Sequence, residues 1–324
     1  MNNSQEIRAA IEVENLSKRY EEVDAVDKIS FTVQRGEIFG FLGPNGAGKT
    51  TTINMLTGLN RISSGQVKIN GQTEIKKVQE AIGIVPSESN LYPELDGFEN
   101  LCFCASLYGL KKGVREREAR YLLEKFNLAE VGGRTFGAYS KGMKRKLTIA
   151  AGIIHKPEIL FLDEPTTGID VASARQIRRL IIDLNRAGTT IFLTTHYIEE
   201  AERLCDRVAF IVQGKIKHLD TTENLLDNVR QDNIIEFLSD KKSLQDKETI
   251  LKKLSAYQVE LFGEKIRIHI DRKTTINKFI NIFNEIDCNI YEARLMRPSL
   301  EDVFVKITGI EVDEMEKDKA KGGR

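Results

Sequence analysis

EIFGFLGPNGAGKTTTINML, Glu37 to Leu56, runs from an apolar strand through a glycine-rich turn into a helix. Ile38, Phe39, Phe41 and Leu42 form the apolar run of a buried strand, and Ile53, Met55 and Leu56 recur at helical spacing. Between them, Gly43-Pro44-Asn45-Gly46-Ala47-Gly48-Lys49-Thr50, continued by Thr51, fits the pattern G-x-x-x-x-G-K-[ST]. Glycines let the backbone adopt positive φ and approach a ligand closely. Successive N–H groups and the positive end of the following helix then cradle an anion. Lys49 is expected to reach the β- and γ-phosphates, and the Thr50 hydroxyl to take a place on Mg²⁺. A nucleoside triphosphate with Mg²⁺ is the ligand this chemistry predicts.

Farther along, the apolar run Ile159–Leu162 ends in Asp163-Glu164-Pro165. Two adjacent carboxylates at a strand end suit a nucleotide hydrolase, the first holding Mg²⁺ and the second polarising the attacking water. Taken alone such a strand end is an ordinary cap; downstream of the phosphate loop it gains meaning. His196 follows the strand TTIFLTT, which predicts a place at the C-terminal edge of an α/β sheet, where ligands bind.

The alternation of elements sets the organisation. Ile11–Tyr20 and Ile29–Val33 alternate like strands, and Asn70-Gly71 predicts a tight turn between two short ones. Ala81–Pro86 reads as a buried strand. From Glu88 to Ile154 the spacing is helical, over Phe98–Tyr108, Val114–Phe126 and Ser140–Ile154. Strand and helix then alternate through Val212, so one nucleotide-binding domain is expected over residues 1–227, with a helical block at about 88–154. A small α+β unit is expected over 228–310, including a hairpin across Gly263, and residues 311–324, charged and aperiodic, read as a disordered tail.

Composition narrows the function. Basic and acidic residues number 48 each among 324, so no global field favours nucleic acid or an anionic membrane. Cys102, Cys104, Cys205 and Cys288 show no metal-ligand spacing and read as free thiols in a reducing compartment. No apolar run has the length of a membrane span, so the chain is expected to be soluble and intracellular.

The order of these motifs, from about Leu16 to Gln213, resembles the nucleotide-binding subunit of an ABC transporter. The resemblance implies an α/β fold of the P-loop NTPase type, with a RecA-like core, an antiparallel β subdomain and a helical subdomain, plus the small C-terminal α+β domain. Tyr20 stands where the family stacks an aromatic ring on adenine. Ala138-Tyr139-Ser140-Lys141-Gly142-Met143 stands at the signature motif. There the Ser140 hydroxyl and the exposed backbone of Gly142 would close over the γ-phosphate held by a second subunit. Thr166–Asp170 (TTGID) matches the loop linking the two hydrolysis sites, with Asp170 in the nucleotide set. His196 matches the switch histidine, catalytic together with Glu164 and Lys49.

The match departs in two places. The commonest signature reads LSGGQ, whereas this chain has Tyr139, Lys141 and Met143. The family usually carries a glutamine directly after the strand ending at Pro86; here Ser87 and then Glu88 occupy that place, and Ser87 is assigned to the site in its stead. Arg297-Pro298-Ser299-Leu300-Glu301-Asp302-Val303-Phe304 resembles the closing segment of ATP-binding subunits of type-2 ABC exporters, the drug-resistance and antibiotic-export group.

Functionally, the resemblance implies an ATP-hydrolysing subunit that pairs head to tail with a second copy or a paralogous subunit. It would drive a separate integral membrane permease from the cytoplasmic face. Two other readings stand beside it. A non-transport ABC ATPase acting on ribosomes or DNA is opposed by the single cassette, the lack of a heptad insertion and the balanced charge. A regulatory subunit with weak hydrolysis is opposed by Glu164 and His196 and favoured by Ser87.

Overall fold

The computed structural model describes residues 9–229, 233–240, 247–271, 274–296 and 299–310. Residues 311–324, expected as a tail, and Arg297-Pro298 of the closing motif lie outside them. Contacts divide the chain into two units: residues up to Thr222 together with those from Ile307, and Glu223–Lys306.

The first unit runs β1 (Ala9–Tyr20), β2 (Val23–Gln34), β3 (Ile38–Leu42), α1 (Lys49–Leu56), β4 (Ser64–Ile69), α2 (Ile75–Ala81) and β5 (Ile82–Val85). It continues with α3 (Gly97–Leu107), α4 (Lys112–Lys125), α5 (Lys141–Ile153), β6 (Ile159–Asp163), α6 (Val171–Arg186) and β7 (Thr190–Thr195). α7 (Ile198–Leu204), β8 (Arg207–Val212) and β9 (Lys215–Thr221) come next, and α8 (Thr222–Val229) leads into the second unit.

Six strands form one sheet in the order β5-β6-β7-β3-β8-β9. All neighbours are parallel except β8 and β9. Strands covered on both faces need continuous apolar runs, which IFGFL, ILFLD and TIFLTT supply; every residue of the three is buried. A second, antiparallel sheet, β2-β1-β4, packs its alternating apolar side on the first. Phe31 of β2 stacks on Phe39 of β3 at 5.4 Å between centroids, and Phe41, Phe161 and Phe192 complete the aromatic core. Such offset ring contacts add about 0.5–1.5 kcal/mol per pair beyond area burial.

Two local expectations change. Beyond the Asn70-Gly71 turn there is no strand, only a bridge between Ile69 and Gln72, and α2 begins at Ile75. Lys76, Lys77, Gln79 and Glu80 are good helix formers around a single buried residue, Val78, so the helix prevails there. β9 is an addition to the expected strands; Gln213 and Gly214, both at positive φ (49° and 73°), make a tight turn that folds it back on β8.

In the helical block, Asp96 and Glu99 form a reciprocal capping box at the start of α3. Fully buried Asn100 accepts from the Tyr92 N–H and donates to the Tyr92, Leu95 and Asp96 carbonyls, holding the approach from β5 in one conformation.

The second unit contains β10 (Asn233–Ser239), α9 (Lys247–Lys253), β11 (Val259–Phe262), β12 (Lys265–Ile270), α10 (Ile276–Glu285) and β13 (Ile290–Met296), with α11 (Leu300–Thr308) after them. The sheet order is β11-β12-β10-β13, antiparallel throughout, which makes a split βαβ unit. Phe237 meets Phe279 and Phe283 edge-on in its core. On the strands' other face Glu236 pairs with Lys265 and Arg267, each at 2.9 Å. Ser299 and Asp302 cap α11: the Asp302 carboxylate accepts from the Ser299 N–H at 2.8 Å. The S-L-E-D part of the closing motif is thus a helix start.

Candidate functional site

The site grows from strand order. Because β7 lies between β6 and β3, the segments leaving β5, β6, β7 and β3 line up at one edge of the sheet. These segments carry Ser87, Glu164, His196 and Gly43, in that order. In open α/β sheets this carboxyl edge is where ligands bind.

The loop Gly43–Gly48 leads directly into α1 at Lys49, with Gly48 as its N-cap at φ 101°. A Cβ on Gly48 would stand 2.5 Å from the Ala25 carbonyl oxygen, so both conformation and space demand glycine. Lys49 is 5% exposed; its ammonium donates to the carbonyls of Gly43 (2.9 Å) and Pro44 (3.0 Å) and lies 3.4 Å from Glu164 Oε1. Thr50 and Thr51 occupy the first turn of α1, and the Thr50 hydroxyl donates to Asp163 Oδ2 at 2.9 Å. The other Asp163 oxygen accepts from the Thr194 hydroxyl.

Glu164 is the one residue of this cluster other than glycine with a left-handed backbone, φ 46°. Its N–H donates to the Thr194 carbonyl (3.0 Å), and its Oε2 accepts from Thr167 (3.1 Å). His196 Nδ1 lies 3.1 Å from Glu164 Oε1 but outside hydrogen-bonding alignment, so the pairing is one of proximity. Burial opposes ionisation of Glu164, yet His196, Lys49 and the Thr167 hydroxyl outweigh it and hold the carboxyl down at about 2. Glu164 is therefore a carboxylate at neutral pH, able to accept but not to donate.

The paired oxygens of Thr50 and Asp163 suit a hard divalent cation. Among the described residues no group of three or more His, Cys, Asp or Glu could hold a metal alone. That composition fits Mg²⁺, which binds through one or two protein oxygens and completes its shell with phosphate and water.

Other predicted residues stand in different settings. Tyr20 is 44% exposed at the end of β1, its hydroxyl accepting from Asn60 and its ring facing the Lys18 ammonium at 4.7 Å. Ser140 is exposed and caps α5, accepting from the Met143 N–H at 3.2 Å. Gly142 is buried, not exposed as expected: a Cβ there would meet Ser173 Oγ at 2.2 Å, so packing against α6 requires the glycine. Asp170 caps α6 through the Ser173 N–H at 2.9 Å, which holds its carboxyl below the usual range. The Ser87 side chain is exposed.

The family model described as ABC transporter matches residues 26–167. The linearmycin resistance ATP-binding protein of Bacillus subtilis (strain 168) is 35% identical, across 92% of this chain and 98% of that one. The chain belongs to the ABC transporter ATP-binding family. A fluoroquinolones export ATP-binding protein of Mycobacterium tuberculosis is 39% identical, across 92% and 93% of the two chains. A solved ATP-binding subunit of an ABC transporter superposes with a TM-score of 0.62 at 31% identity, covering 68% of this chain and 92% of that one. A dimeric ATP-binding cassette, solved in a post-hydrolysis state with ADP and Pi, gives 0.60 at 25% identity over 65% and 98%. ATP binding and hydrolysis belong to this ABC subunit as they do to its family.

The sequence motifs do not single out three polar residues that bond to this cluster and its flanking loop: Arg145, Thr194 and Glu200. Arg145 is 7% exposed, its guanidinium directed at backbone carbonyls. Burial lowers its pKa to about 10, against the pull of Asp163, Glu200 and Glu164, so it remains a cation at neutral pH. Helical spacing places Arg145 on the face of Ile149 and Gly152, a signal that a cation is buried there. Glu200, on α7, is 2% exposed and accepts from the Thr166 hydroxyl at 2.7 Å. Burial raises its pKa despite Thr166, Thr195, Arg178 and Arg145.

A raised carboxyl favours the folded state when protonated. Its contribution is complete below the unfolded value of about 4.5 and is lost as pH rises through the native value. Glu200→Gln keeps an acceptor for Thr166 and cannot ionise. Its melting temperature relative to the parent chain should therefore rise from about pH 5 to about pH 8 in thermal scans. A difference that shrinks over that interval would contradict a raised Glu200.

Proposed function

We propose that this subunit powers an exporter, hydrolysing ATP in a head-to-tail dimer whose two sites each combine the phosphate loop of one copy with Ser140 of the other. The observation that carries this reading is the convergence of Lys49, Thr50, Asp163, Glu164 and His196 at one sheet edge. In this reading the loop amides and Lys49 bind the β- and γ-phosphates. Thr50 and Asp163 would hold Mg²⁺, which neutralises phosphate charge when bound. Glu164 accepts a hydrogen bond from the attacking water and orients it toward the γ-phosphorus; His196 positions the γ-phosphate. Little covalent chemistry is left to the protein, so positioning and electrostatics supply the rate.

The dimer receives support from the exposed N-terminus of α5, where Ser140 leads a turn with no acidic residue. Tyr20 is assigned to adenine, its exposed ring offering a stacking face. Asp170 and Gly142 act indirectly, as the cap of α6 and the packing contact that fixes α5 against it. Export is inferred from the relatives, whose names speak of linearmycin resistance and fluoroquinolones export.

No helix among the described residues is long and apolar enough to cross a membrane. The proposed membrane partner is a separate permease, docked at the cytoplasmic face on the helical block. Tyr92, Phe103 and Leu107 are exposed there, with the Tyr92 and Phe103 rings edge to face at 5.0 Å.

Mixing two inactive variants tests the shared site. Ser140→Arg disables the site built on the partner's loop, and Lys49→Ala disables a copy's own. In the mixed dimer one site carries both defects and the other none. The mixture should therefore hydrolyse ATP faster than either variant alone, whereas no recovery at any ratio contradicts the head-to-tail arrangement.

A further inference from the structure

We infer that Arg145 is a positioning residue for hydrolysis: from the signature helix α5 it pins both the turn that carries Glu164 and the Ser87 segment, joining the two through backbone rather than through a side chain at position 87. The inference rests on the ATPase reading and extends it to a residue outside the phosphate contacts.

Four hydrogen bonds connect these segments. Arg145 Nη2 donates to the Asp163 carbonyl at 2.7 Å, and Nε to the Pro165 carbonyl at 2.9 Å. Nη1 donates to the Pro86 carbonyl and, more distantly at 3.5 Å, to that of Ser87. The first two acceptors are the residues on either side of Glu164. The last two lie just after β5, the strand beside β6. A planar fork with fixed N–H directions can hold carbonyls from two strand ends in one arrangement; a lysine ammonium cannot.

The turn needs such a template. Glu164 adopts φ 46°, a left-handed region disfavoured for any residue with a Cβ. Strained backbone persists only where its surroundings over-determine it. Thr194 and Thr167 constrain Glu164 on one side, and Thr166 is held by Glu200. Arg145 constrains the carbonyls before and after it. Without the guanidinium the turn can relax, and the Glu164 carboxylate leaves the place where the water must be met.

The Ser87 segment is the second end of this connection. A short, exposed serine side chain reaches neither Glu164 nor Asp163 in any hydrogen bond of the structure, yet its backbone shares a donor with both neighbours of Glu164. Movement of the segment after β5 is thus felt at the base through Arg145. Because Arg145 sits on the helix that Ser140 caps, α5 would serve the partner's site through its cap residue Ser140 and its own site through Arg145.

The test compares Arg145→Lys and Arg145→Gln with the parent chain in melting temperature, affinity for a fluorescent ATP analogue, and steady-state turnover. Lysine keeps the charge and glutamine removes the buried cation, so the pair separates charge from fork geometry. The expected result is a kcat lowered about 30-fold or more in both, with KM and analogue affinity within about twofold of the parent and a retained melting transition. A folded variant with kcat within about threefold of the parent overturns the proposal. So does a parallel loss of analogue affinity and kcat, or loss of the melting transition in both variants, since Arg145 would then serve binding or folding. A parent chain that turns over no ATP would contradict the ATPase reading itself and is read from the same plates.

Discussion

Glu164→Gln is expected to lower ATP turnover about 10²–10⁴-fold while leaving nucleotide affinity within a few-fold of the parent. Glutamine keeps the size of the side chain and an oxygen that can still accept from Thr167. It removes the negative charge that, in the proposed mechanism, accepts a hydrogen bond from the attacking water and orients it. The loss corresponds to about 3–5 kcal/mol of transition-state stabilisation. Affinity is spared because Glu164 contacts Lys49, His196 and Thr167 rather than the loop amides. Neutralising position 164 also removes a carboxylate beside the γ-phosphate, so the closed dimer should persist with ATP. Gel filtration with ATP and Mg²⁺ reads that dimer, and phosphate release reads the turnover. Parental turnover in Glu164→Gln would remove Glu164 from the role of base.

Lys49→Ala is expected to weaken binding of ATP by about 2–5 kcal/mol, which is some 30-fold to several thousand-fold in affinity. The ammonium is nearly buried, so its attraction for phosphate is screened less than that of a surface lysine. Part of that attraction is spent in exchanging the contacts it already makes with the Gly43 and Pro44 carbonyls and with Glu164. The variant should fold, because neighbouring Thr50 and Asp163 keep their mutual hydrogen bond. Its Glu164 carboxyl, relieved of one cation, should titrate above the parental value of about 2. Titration with a fluorescent ATP analogue checks the affinity; a loss under about threefold would show that the loop amides alone bind the phosphates.

Much of the fold can be read along the chain because its signals are local. The apolar runs of β3, β6 and β7 are continuous, since strands covered on both faces cannot alternate. The phosphate loop is equally legible, because its spacing is local: Gly46 and Gly48 take positive φ in the turn, although the close approaches to Gly43 and Gly48 come from Ile211 and Ala25, far off in sequence. β9 is hard to read because it is short and half exposed, and α2 because it is short and buries Val78 alone, so neither displays a full period. The exposure expected of Gly142 fails for another reason. Its neighbour Ser173 is thirty-one positions away, and only the approach of α6 to α5 shows that a side chain has no room there.

Sequence alone determined that Gly43–Thr51 would cradle a triphosphate, that Asp163 and Glu164 would end a strand, and that His196 would follow another. These are properties of single segments, written in spacing and residue type. Tertiary structure decided what those segments do together. Strand order placed β7 between β6 and β3, and only that order brings His196 and Lys49 to the same oxygen of Glu164. It also set β5 beside β6, so that one arginine from a helix inserted between them in the chain can hold the ends of both. Pairing between strands distant in sequence depends on how whole layers pack, which no local window contains.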